Sequence, residues 1–172
     1  MSQVFGRLFG SIWIMKTINN RRQLLSFVEM NFDYLNPRGF RVVDVEMPDS
    51  QSWAVIFEGK CQIRVEWNWH DGPYIMVSES AKAELKNPIS YDSDILIYYL
   101  MGKTILEQHY DDPNLDGSLN SVKLQAQFLR KHLDKIVEFV SSGRLRKEIR
   151  QVKQAREALI EWELQRIEEE KD

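Results

Sequence analysis

The 172-residue chain holds one cysteine, eight glycines and five prolines, and its formal charges cancel to −3. Each scarcity excludes something. A lone Cys61 leaves no internal disulfide and fits a reducing compartment, so a cytoplasmic location is expected. So few glycines suit phosphate-cradling loops poorly, and the chain contains no Gly-rich phosphate loop, no G-x-S-x-G elbow and no C-x-x-C pair. The small net charge supplies no bulk basic field, so nucleic acid is not an expected partner. No apolar run approaches the roughly 18–20 residues that a membrane-spanning helix needs. What is present suits a packed core. Hydrophobic residues make up 43% of the chain and include five Trp and eight Phe, and the length suits one ordinary domain.

Hydrophobic spacing divides the chain into elements. In residues 1–15, Phe5, Leu8, Phe9 and Ile12 fall on one helical face, interrupted by Arg7 and two glycines. This stretch makes a poor signal peptide and is expected to be an extension; residues 4–14 could form an interfacial membrane helix. Ile18, Leu24, Leu25, Phe27, Val28, Phe32 and Leu35 recur at threes and fours, which predicts a helix from Lys16 to Leu35, stopped by Asn36-Pro37-Arg38-Gly39. Four strands follow between Phe40 and Glu79. The clearest is Cys61–Trp69, where Cys61, Ile63, Val65, Trp67 and Trp69 alternate with Gln62, Arg64, Glu66 and Asn68. Gly59-Lys60 and Asp71-Gly72 are hairpin signals, and short turns force antiparallel pairing. Helices are expected at Tyr91–Tyr110, capped by Asp92 or Ser93, at Ser121–Ser142 ending at Gly143, and at Arg144–Asp172. The predicted class is α+β: a four-stranded antiparallel meander flanked by an N-terminal helix and three C-terminal helices. Its expected parts are an extension at 1–15, the α+β domain at 16–143 and a helical arm at 144–172.

Three places carry candidate chemistry. The loop after Tyr110 contains Asp112, Asn114 and Asp116 followed by Gly117, a spacing similar to the front half of an EF-hand calcium loop. Alternate oxygen ligands there suit a divalent cation, with Glu107, His109 and Asp111 nearby. The twelfth position is Lys123, which puts a positive charge where a bidentate carboxylate belongs, so no cofactor is expected and a turn that caps the next helix is the simpler assignment. The wet face of the third strand, with Arg64, Glu66 and Asn68, and the aromatics Trp69 and Tyr74 near the hairpin end, form the expected interaction surface for a protein partner. Glu58 or Asp44 could lie across from Glu66; an acid–base pair is the alternative use of those carboxylates. Finally, residues 144–156 carry six basic residues against one acid, while 157–172 carry seven acids against two bases. Basic first and acidic last opposes the helix dipole, and an antiparallel second copy would match the two halves, so self-association through 144–172 is an expectation.

Phe32 and Leu35, Gly39-Phe40-Arg41, the strand Ile63-Arg64-Val65, the strand Tyr74–Val77, and Tyr91-Asp92 leading into Ile95-Leu96 together resemble small bacterial α+β proteins, among them immunity proteins of toxin systems. The resemblance covers under half the chain. It implies a non-enzymatic, protein-binding role and brings no catalytic residues with it.

Overall fold

A computed structural model describes residues 18, 20–49, 52–68, 72–80, 88–110 and 119–169. Helix α1 spans Arg21–Asn31, and its N-cap Asn20 accepts a hydrogen bond from the Gln23 N–H at 3.0 Å. Its Leu24 and Val28, one turn apart, are fully buried. The expected single helix to Leu35 stops earlier. Pro37 has no N–H to donate, and the chain tightens into a 3₁₀ segment, Asp33–Arg38, that ends at Gly39. The Tyr34 hydroxyl donates to the Ala126 carbonyl at 2.8 Å, and Arg38 grips Asp134 at 2.7 Å, which ties this segment to the long helix described below.

Five strands follow: β1 Arg41–Asp49, β2 Ser52–Glu58, β3 Cys61–Asn68, β4 Gly72–Glu79 and β5 Ser90–Asp92. They pair antiparallel in sequence order. The meander therefore has one strand more than the four expected. The sequence Ser90-Tyr91-Asp92 is too short for a period of two to register, and it forms because β4 offers it a free edge. Tyr91–Tyr110 is also two helices, α2 Ser93–Met101 and α3 Lys103–Tyr110, because Gly102 adopts φ +90 and breaks the run between them. Helix α4 spans Leu119–Ser141; a short turn α5, Arg144–Lys147, leads into α6, Ile149–Glu169.

Register sorts the two faces of the sheet. Val55, Val65 and Ile75 align in one row, and Phe57, Ile63 and Val77 in the next. These side chains are at most 5% exposed and join a core with Leu96 and Ile97 of α2 and Ala126, Leu129, Leu133 and Ile136 of α4. Trp53 and Trp67 stack at 6.2 Å at the end of the same face. Helix α4 packs against β3 and β4, and α2 against β4. Helix α6 packs on α2 and buries Val152, Leu159 and Trp162. Among the described residues no helix is long and apolar enough to cross a membrane. The candidate interfacial segment 4–14 lies outside them.

The β2–β3 turn is closely packed. A Cβ on Gly59 would sit 2.7 Å from the ring of Phe40, which is 2% exposed. Gly59→Ala is expected to cost about 1–3 kcal/mol by overpacking. Urea unfolding would measure it, and an unchanged midpoint would show that the ring moves freely.

Candidate binding cleft

The other face of the sheet is polar, and the register gives its rows. One runs Arg41, Glu58, Gln62, Ser78, Ser90; the next Asp44, Ile56, Arg64, Met76, Asp92; the third Glu46, Ala54, Glu66, Tyr74. Apart from Ala54 and Glu58 these side chains are exposed or half-buried. Five carboxylates thus share the face with two guanidiniums. One of those is already engaged: Arg64 donates to Glu46 at 2.8 Å and to Glu66 at 2.8 Å. Hydrogen bonds from Arg64 hold the Glu46 carboxyl below its ordinary range, and the same bonds push the Arg64 guanidinium up. Glu58 accepts from Gln62 and from the Ser80 hydroxyl. The face is therefore net acidic.

The face leads into a cleft. Strand β5 pairs with Met76, Val77 and Ser78, and the Tyr74–Ile75 end of β4 runs on past it. The notch so formed is closed by the start of α2, by α4 and by α6 into a cavity of about 360 Å³. Arg156, Leu159, Ile160 and Glu163 of α6 line it, spaced so that they share one helical face. Asp92 and Asp94 stand at the start of α2, and Gln125 reaches in from α4. Asp92 is the N-cap of α2 and accepts a hydrogen bond from the Asp94 N–H at 3.3 Å. Burial and then the neighbouring Asp94 push the Asp92 carboxyl up to about 7 against the pull of that backbone N–H, and Glu163 adds to the rise. Burial, with Asp94, raises Glu163 as well. Asp92, Asp94 and Glu163 thus line one partly dry cleft.

The residues singled out in the sequence separate here. Arg64, Glu66 and Tyr74 come together on the acidic face, and Tyr74, 40% exposed, also lines the cleft. Asn68 lies on the same face one row further along, opposite Ser52. Trp69 lies outside the described residues, as do Asp112, Asn114 and Asp116. Among the described residues no group of three or more His, Cys, Asp and Glu side chains could hold a metal ion. His109 instead stacks flat on Phe128 at 3.9 Å, and His132 meets the edge of the same ring. Burial and the adjacent Lys131 and Lys135 lower the His132 pKa. Cys61 is buried, and burial followed by Glu58 pushes its thiol up to about 12, which keeps it unreactive. Sequence reasoning found Asp92 as a helix cap only and passed over Asp94, Gln125 and Glu163. Their separation along the chain carries no signal; only the docking of α6 on α2 brings them together.

Comparison with protein-family models, with curated proteins and with solved structures found no match.

Proposed function

We propose that the chain is a protein-binding module whose docking surface is the acidic face of the sheet together with the cleft that continues from it, and that its partner presents arginine and lysine side chains. The observation that carries this is the register, which sets Asp44, Glu46, Glu58, Glu66 and Asp92 on one face with Arg64 already paired to two of them. A net excess of one sign of charge on a polar, half-exposed face steers an oppositely charged partner and disfavours like-charged ones. Tyr74 gives the surface an aromatic contact of the kind enriched at interface hot spots. A binding role is also what the resemblance to immunity proteins implies. Acid–base use of Glu66 with Glu58 or Asp44 has less support, because Ala54 stands opposite Glu66, Glu66 is paired to Arg64, and Glu58 is engaged by Gln62 and Ser80.

The test uses full-length chain as bait in its source cells, beside a variant carrying Asp44→Lys and Glu46→Lys on the exposed edge strand. A basic partner should be retained by the wild type near 0.15 M salt and released at high salt. The double variant should bind it at least tenfold more weakly, about 1.4 kcal/mol. Capture of the same proteins by both chains would overturn the acidic docking surface.

A further inference from the structure

Helix α6 turns Val152, Leu159 and Trp162 into the protein and leaves its other side open. On that outward side Arg150, Lys153, Glu157, Ile160, Leu164 and Glu168 follow one another at steps of three or four, which sets them along one exposed stripe. Ile160 is 42% exposed and Leu164 56%, one turn apart, so the stripe carries an apolar centre in water. Its two ends differ in sign. Arg150 and Lys153 precede that centre, and Glu168 follows it. Bases at the start of a helix and acids at its end oppose the helix dipole, so this order costs α6 stability when the helix stands alone.

We infer that two copies of the chain pair through this stripe, α6 against α6, antiparallel about a two-fold axis that passes between Glu157 and Ile160. Helical spacing then gives the contacts. Leu164 of one copy lies along the methylene stem of Lys153 in the other, Ile160 packs beside the stem of Glu157, and Arg150 comes beside Glu168. The two-fold makes each contact twice. The negative end of each helix dipole, with its acids, also lies beside the bases of the other copy, which reverses the disadvantage of the single helix. A parallel pair would set base on base and acid on acid, so the charge order selects the antiparallel one. Of the six stripe residues only Ile160 lines the cleft, and the pairing does not depend on the acidic docking surface. Two apolar side chains per copy on one helix make a small interface, for which a dissociation constant on the order of 10 μM is expected.

The test is sedimentation of the full chain from about 1 to 500 μM. The mass should rise from that of a 20.4 kDa monomer toward twice that value, and the midpoint should move to higher concentration at about 1 M salt. Leu164→Glu, at an exposed position, should weaken the dimer at least tenfold, with circular dichroism unchanged. Arg150→Glu and Glu168→Arg should each weaken it several-fold, and the two together should restore it, because the pairs re-form with their signs exchanged. Both single changes agree with the helix dipole, so loss of the dimer is not loss of the helix. A monomer at every concentration overturns the pairing. So does a dimer that Leu164→Glu leaves intact, which would place the contact on another surface. A double variant no tighter than the single ones overturns the antiparallel arrangement.

Discussion

Asp92→Asn is expected to stabilise the protein at pH 8 by about 2 kcal/mol and to change little at pH 4. The folded-state pKa of Asp92 stands at about 7 against an ordinary 3.8. Between those values the folded chain keeps a proton that the unfolded chain has lost. Stability therefore falls as pH rises through this window, and above pH 7 the full penalty of an ionised carboxylate beside Asp94 and Glu163 is present. The figure of about 2 kcal/mol is smaller than the whole shift implies, because burial is the main cause of the rise and the fold can relax to let water reach an ionised Asp92. Asparagine caps a helix as well as aspartate does, so the substitution removes charge and keeps the bond to the Asp94 N–H. The groups that line the cleft with Asp92 are Asp94 at the start of α2, Glu163 and Arg156 on α6, and the uncharged Tyr74 and Gln125. Melting curves at both pH values are the check. A chain of this size should gain about 4–8 °C at pH 8. Equal changes at the two pH values, or a loss at pH 8, would show that the carboxylate is not strained by its surroundings.

Trp162→Ala is expected to cost about 3 kcal/mol, the low end for removing a buried aromatic. Trp162 is 8% exposed and anchors α6, with the Lys103 ammonium 5.5 Å and the Arg166 guanidinium 5.2 Å from its ring. Undocking α6 also removes one wall of the cleft, since Leu159 and Glu163 flank the Trp on the same helix. A single melting transition lowered by about 6–12 °C would mean that α6 unfolds with the rest of the core. A separate early transition, with protease cleavage confined to residues beyond Gly143, would mean that the last helix is an independent arm. An unchanged melting temperature would show that Leu159 and Val152 hold the helix without it.

Much of the scaffold is legible along the chain because it depends on neighbours in sequence. The alternation from Cys61 to Asn68 appears in the fold as strictly alternating buried and half-buried positions, because successive side chains of a strand leave opposite faces. Asp92 is a cap wherever a helix starts after it. Leu24 and Val28 are buried for their spacing alone. The failures are just as physical. Gly102 divides a helix because its backbone takes a conformation that the surrounding apolar run does not hint at. Strand β5 exists through its partner, since three residues make no pattern.

The sequence by itself determined a mixed helix and sheet chain, the antiparallel order of its hairpins, and the polar character of one sheet face. Periodicity, turn residues and charge act locally, over distances that the covalent chain sets. Only the tertiary structure decided that Glu46 reaches Arg64, that Asp92 joins that same face, and that Asp94, Gln125 and Glu163 meet in one cleft. Those side chains lie up to dozens of residues apart. Their meeting follows from sheet register, from the seating of α4 against β4 and from the packing of α6 on α2, where burial of Val152, Leu159 and Trp162 chooses the position and the carboxylates are carried along with it.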